Sequence, residues 1–212
     1  MRATFIGGLL LCLLIHNLSW AQPKGFSQVS KGEVEKRLEK AHQGINSIQS
    51  DFKQIKAMSV LSDKVVSTGL FYFKKQDKIR IEYKQPYYYL MVLNKGQMMV
   101  KDEKKSTQVS GKQAKMVQQM NQLILDCFQG TILSNPQFKS ETYASNDQYW
   151  LSLWPLNGDV KNFFQSLELT IDKKTLAVTR LVMKEKDGDQ TDMLFSNIQN
   201  NVNLNETLFK VR

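Results

Sequence analysis

Between Lys78 and Tyr83 the apolar residues Ile79, Ile81 and Tyr83 alternate with Lys78, Arg80 and Glu82, which predicts a half-buried antiparallel strand with one apolar and one charged face. Leu70–Phe73 before it is a continuous apolar and aromatic run, and Leu90–Leu93 and Met98–Val100 after it are two more. Asn94-Lys95-Gly96 separates the last two and predicts a hairpin turn, because Asn and Gly accept positive φ. Pro86 falls between strands, where a missing amide donor does least harm. The segment therefore builds a meander whose apolar face is larger than a short strand needs.

Upstream, Val34, Leu38, Ala41, Ile45 and Ile48 step by four and three, one stripe of an amphipathic helix that begins at Lys31. Ser30 and Glu33 have the spacing of a capping box, and Gly44 marks the helix end. His42 lies beside the stripe, as a surface or internally satisfied histidine. Ser47–Ile55 alternates and continues as a strand, while residues 22–30 read as a loose arm. Beyond the meander, Lys101–Gly111 is polar and turn-like. Ala114–Phe128 returns to helical spacing, with Met116, Met120, Leu123, Ile124, Cys127 and Phe128 on one side and Gly130 as a stop signal. The last third is a run of strands: Tyr149, Leu151 and Leu153 alternate with Trp150, Ser152 and Trp154, and Leu167, Leu169 and Ile171 alternate with Glu168, Thr170 and Asp172. Asp172–Thr175 is a turn, Thr175–Glu185 a partner strand, Asp187-Gly188 a hairpin signal and Thr191–Ile198 the return. The tail Asn200–Phe209 is Asn-rich and irregular until Leu208 and Phe209.

Two helical stripes with roughly nine to eleven alternating strands describe an α+β fold, a strongly bent antiparallel sheet with helices on its concave side. A sheet that closed fully would leave the helices no place, so the expectation is an incomplete, half-open β-barrel under a helical lid. A barrel of this kind can enclose a ligand.

The N-terminus changes the address. Arg2, an apolar run from Phe5 to Ile15, and small Ser19 and Ala21 before Gln22 predict a cleaved signal peptide over residues 1–21 and a single mature domain over 22–212. The expected location is the periplasm. Without that segment the chain keeps 28 Lys and Arg against 20 Asp and Glu, a net charge of +8, and holds Cys127 and His42 as its sole cysteine and histidine. That composition excludes an intrachain disulfide, a His/Cys zinc site and any histidine-based triad with a choice of histidine. The lysines are scattered rather than clustered, so nucleic acid is not expected as a partner. No phosphate-binding loop, dinucleotide fingerprint, zinc-protease motif or EF-hand is present, no cofactor or metal is expected, and nothing in the pattern marks an enzyme.

The segment from Asn46 to Val100 reads SIQSDFKQ, then G-x-x-x-FKK, KIRIEY, QP and LNKG, and resembles the LolA family of periplasmic outer-membrane lipoprotein carriers. Lys75 and Gln76 stand where the family pattern has Arg and Pro. The resemblance implies a carrier that takes acylated lipoproteins from an inner-membrane LolCDE-type ABC transporter, shields their acyl chains across the periplasm and yields them to an outer-membrane acceptor. A monomer is expected. It also makes Lys75 the candidate lid latch, with one point of contact where a guanidinium would offer a fork. On this reading an acyl-chain cavity is lined by Phe52, Phe71, Phe73, Ile79, Ile81 and Tyr83, by Leu90, Val92, Met98 and Val100, and by Met116, Met120 and Ile124 of the second helix. Methionines suit a surface that must accept varied apolar partners. A carrier of another lipid or a lipid-linked pigment, and a sensor that binds lipoprotein or glycolipid, remain open as alternatives on the same fold.

Overall fold

The computed structural model describes residues 23–108, 119 and 122–211. In chain order the strands are β1 (Ser27–Gln28), β2 (Ser47–Ala57), β3 (Val65–Lys74), β4 (Lys78–Gln85), β5 (Tyr89–Asn94), β6 (Gln97–Asp102), β7 (Ser106–Gln108), β8 (Phe138–Ala144), β9 (Gln148–Pro155), β10 (Phe164–Asp172), β11 (Val178–Glu185) and β12 (Gln190–Asn200). Helix α1 spans Lys31–Gln43, α2 is described over residues 122–129, and α3 is the short Gly158–Phe163.

The twelve strands among the described residues form one antiparallel sheet in the order β1-β8-β9-β10-β11-β12-β2-β3-β4-β5-β6-β7. Neither β1 nor β7 pairs with the other, so the sheet is an unclosed barrel, with α1 and α2 packed into its concave side. The alternation read from the sequence fixes its faces. Leu151, Leu153, Leu167, Leu169 and Ile171 are all 1% exposed or less, while Trp150, Ser152 and Trp154 take the convex side. Lys95 (φ 48°) and Gly96 (φ 80°) form the tight β5–β6 turn that Asn94-Lys95-Gly96 predicts.

Several expectations change. Helix α1 begins after Ser30, but the Ser30 side chain makes no capping hydrogen bond. The helix stops at Gln43, so Ile45 and Ile48 of its stripe belong to a loop and to β2. The loose arm contains β1, which pairs with β8, and the turn-like stretch after Lys101 contains β7.

The largest departure is the tail. Residues 202–211 run as a strap over the convex side of β3–β6, where Leu204, Phe209 and Val211 pack against Tyr72, Leu90, Val92 and Met99. Arg80 Nη1 donates to the Leu208 carbonyl at 3.1 Å, Asn94 Nδ2 to that of Phe209 at 2.9 Å and Gln108 Nε2 to that of Val211 at 2.9 Å. Lys74 and Lys78 ion-pair with Glu206 at 2.7 and 2.8 Å. Hydrogen bonds from the two lysines hold the Glu206 carboxyl down to about 2, from an ordinary 4.5. A folded-state pKa below the unfolded value contributes stability above about 4.5 that is lost as pH falls toward about 2. Glu206→Gln should therefore lower the thermal midpoint at neutral pH, with the gap to the parent closing over that acidic window. A gap that persists at the acid end would show that the carboxylate charge is not what holds the strap.

Candidate functional site

Strand register arranges the concave side of β2–β6 into rows, because residues paired across antiparallel neighbours share a face. The first row runs Ile48–Phe73–Ile79–Leu93–Met98, the second Ser50–Phe71–Ile81–Met91–Val100, and the third Phe52–Gly69–Tyr83–Tyr89. Phe52, Phe71, Phe73, Ile79, Ile81, Met98 and the partly buried Tyr83 and Val100 are thus brought together on the expected lining. Gly69 makes the third row possible: a Cβ there would collide with the Glu82 carbonyl oxygen and lie 2.9 Å from the Phe52 ring. The space goes to aromatics, with Phe52 and Tyr83 edge to face at 5.0 Å and the Tyr83 hydroxyl donating to Gln54 Oε1 at 2.9 Å. Burial, with Tyr89 nearby, pushes the Tyr83 pKa up to about 12, so the ring stays neutral.

Leu90 and Val92 do not join this lining. Val92 pairs with Arg80 and Met99, and Leu90 with Glu82, so both point to the convex face and are sealed by the C-terminal strap. Met91 and Leu93 take the concave positions of that strand instead. The charged face of β4 is likewise not a solvated one. The Lys78 side chain is 9% exposed and Arg80, bound to Glu82 and the Leu208 carbonyl, 15% exposed.

Helix α2 closes the trough. Phe128 stacks on Phe71 with ring centroids 4.4 Å apart and meets Phe195 of β12 edge-on at 5.1 Å, so the helix is keyed into an aromatic trio. Phe195 was missed in the sequence, although its pairing with Phe52 across β12 and β2 follows once the first and last long strands are known to be neighbours. Leu123, Leu125 and Cys127 are buried with Phe128, and Ile124 packs against the same cluster from a half-buried position. Met116 and Met120 lie outside the described residues. Burial first, and the neighbouring Asp126 second, push the Cys127 thiol pKa well up. Thiol reagents should accordingly label it slowly in the folded protein and quickly in denaturant, and fast labelling of the native state would contradict the described packing of α2.

The chain leaves α2 at Gly130, whose positive φ of 74° and a distance of 2.8 Å from a would-be Cβ to His42 Nδ1 leave no room for a side chain. His42 is buried and its Nδ1 hydrogen-bonds the Leu38 carbonyl at 2.8 Å. Burial lowers its pKa against the pull of that hydrogen bond. It is a satisfied packing residue between α1 and the end of α2. Lys75, the candidate latch, donates from Nζ to the Gln43 carbonyl at 2.8 Å, where a cation suits the C-terminal end of α1. It also lines a cleft of about 300 Å³ with Glu39, His42, Ile45, Phe73, Phe128 and Thr131.

Among the described residues, the polar groups along the trough rows are Ser50 and the Tyr83–Gln54 hydrogen bond. The tightest acidic group among the described residues, Glu185, Asp187 and Asp189, sits on the β11–β12 turn, where Lys56 faces two of its members and Asp189 accepts from the Ser59 amide. No helix among the described residues is long and apolar enough to cross a membrane.

The protein is thus an open antiparallel half-barrel with an apolar trough and a helix keyed into it. The sequence matches the family model for the outer membrane lipoprotein carrier protein LolA over residues 43–212, and the chain belongs to that family. Two solved structures align with a TM-score of 0.50 and 13% identity. One is an uncharacterised conserved protein from Thermus thermophilus, over 85% of this chain and 93% of that one. The other is the MucA/MucB complex of Pseudomonas aeruginosa, over 86% of this chain and 61% of that one. At that identity the likeness shows the fold. A LolA superfamily protein from Nitrosomonas europaea gives a TM-score of 0.46 at 11% identity, over 86% of this chain and 98% of that one. No curated protein matches the sequence.

Proposed function

We propose that the protein is an exported, non-enzymatic carrier that takes acyl chains into the concave trough when α2 lifts from it. In this reading residues 1–21 are removed, the domain 22–212 works in the periplasm, and acylated lipoproteins pass from an inner-membrane LolCDE-type ABC transporter to an outer-membrane acceptor. The observation that carries it is the stacking of Phe128 on Phe71. That contact is between apolar rings, so an acyl chain that takes the place of Phe128 on Phe71 strands no polar partner there. Burial of apolar area is non-directional, at roughly 25 cal/mol per Å². The trough therefore needs its Ile, Phe and Met lining and no particular catalytic group. Exchange of cargo for lid requires the open and closed states to differ by only a few kcal/mol.

A fluorescent fatty acid tests this. The unmodified protein should bind it, and Ile81→Asn should weaken binding by about 5- to 150-fold, given the roughly 1–3 kcal/mol cost of an unsatisfied polar group in an apolar site. Arg80 and Glu82 are unsuitable controls because the strap engages that face. Lys53, exposed on β2 beside Phe52, is suitable, and Lys53→Gln should bind as the parent does. Thermal midpoints measured in parallel separate lost binding from lost folding. Absence of acyl binding by the unmodified protein, or equal losses in the two variants, would overturn the reading.

A further inference from the structure

Ser50 stands in the second trough row, opposite Phe71 on β3 and between Ile48 and Phe52 on the same face of its own strand. It is 2% exposed, and its hydroxyl oxygen is buried with no hydrogen-bond partner among the described residues. The large majority of buried side-chain polar atoms are paired, and leaving one unpaired costs free energy that an alanine at the same place would not. The other described serine in this condition, Ser140, is only half-buried and lies on β8, next to the β1 edge of the sheet. Ser50 is inside the trough, and the ring opposite it is the one that Phe128 covers.

We propose that the Ser50 hydroxyl donates a hydrogen bond to the carbonyl oxygen of an acyl ester or amide and so sets how deep the acylated ligand enters the trough. The proposal rests on the carrier reading and adds to it a polar anchor. When an acyl chain takes the place of Phe128 on Phe71, the atoms nearest the vacated ring come within reach of Ser50, because facing side chains of paired strands are about 5 Å apart at Cβ. The chemistry of the rows selects the head. Apart from Ser50, the first and second rows carry Ile, Phe, Leu, Met and Val, with no charged side chain. A carboxylate or phosphate at that depth would be desolvated with no cation beside it, whereas a neutral carbonyl needs one donor, which a hydroxyl supplies. The rest of the polar head has a way out. Phe73, two residues or about 7 Å along β3 from Phe71, also lines the cleft of about 300 Å³ beside Lys75.

Paired binding and stability measurements test this, with two fluorescent probes of equal chain length: a fatty acid methyl ester and a hydrocarbon that lacks the carbonyl. The parent should bind both. Ser50→Ala should weaken binding of the ester about two- to twelvefold, the worth of one neutral hydrogen bond, and leave binding of the hydrocarbon unchanged. Its urea midpoint should equal or exceed the parent's, since the substitution removes an unpaired hydroxyl and strands no other group. Equal losses for the two probes would overturn the proposal, as would an ester affinity that does not change. A fall in the urea midpoint with both affinities intact would also overturn it, because the hydroxyl would then serve the fold. All three outcomes leave the carrier reading standing. That reading falls if the parent binds neither probe nor the fluorescent fatty acid, and the anchor falls with it.

Discussion

Phe209→Ala should destabilise the protein by about 3–5 kcal/mol, the range for emptying a fully buried phenylalanine site. Phe209 is 0% exposed and sits in the middle of the strap, among Tyr72, Leu90, Val92 and Met99. Its removal leaves a cavity that the strap cannot close while hydrogen bonds from Arg80, Asn94 and Gln108 hold its backbone in place. Urea unfolding of variant and parent gives the difference from the midpoints, provided the slope is unchanged. A loss under about 1 kcal/mol would show that the strap can leave without cost to the barrel.

Phe128→Ala should cost a similar amount, about 3–5 kcal/mol, and should be felt first in α2. The ring contacts Phe71 and Phe195, so a double-mutant cycle with Phe71→Ala should return a coupling of about 0.5–1.5 kcal/mol. Amide hydrogen exchange in residues 122–129 should accelerate well beyond exchange in β9 and β10, because the trio is the described aromatic anchor of that helix. Uniform acceleration across the sheet would mean that α2 does not open as a separate unit.

How far the sequence could be read depended on whether a segment had a parity. Lys78–Tyr83 alternates strictly, and Ile79, Ile81 and Tyr83 face the trough as that alternation requires. Leu90–Leu93 is apolar at every position, so nothing in it distinguishes the trough-facing Met91 and Leu93 from Leu90 and Val92. The face of such a run is decided by what covers its other side, here a tail whose asparagines read as irregular. Several of those polar residues serve the strap's geometry, as when the Asn205 side chain accepts from the Thr207 amide. Lys78 and Arg80 misled for the same reason, since a charged residue looks solvated until Glu206 and the Leu208 carbonyl are placed beside it. The aromatic key of the lid was half legible. Phe128 lies on a helical stripe, whereas Phe195 joins it through a strand pairing that no local pattern encodes.

That pairing also sets the order in which the chain can fold. β2, among the first elements made, lies between β3 and β12, so one of its edges waits for residues 190–200. Likewise β1 has no partner until β8 arrives. Contacts of such sequence separation form late, since the entropy of closing a long loop is met before the contact is gained. A chain threaded N-terminus first through a narrow conduit would keep an open backbone ladder on Ser47–Ala57 until almost its last residues had emerged. Under such threading the topology would delay closure of the sheet, and the open β2 edge would stay exposed to association with other chains until then.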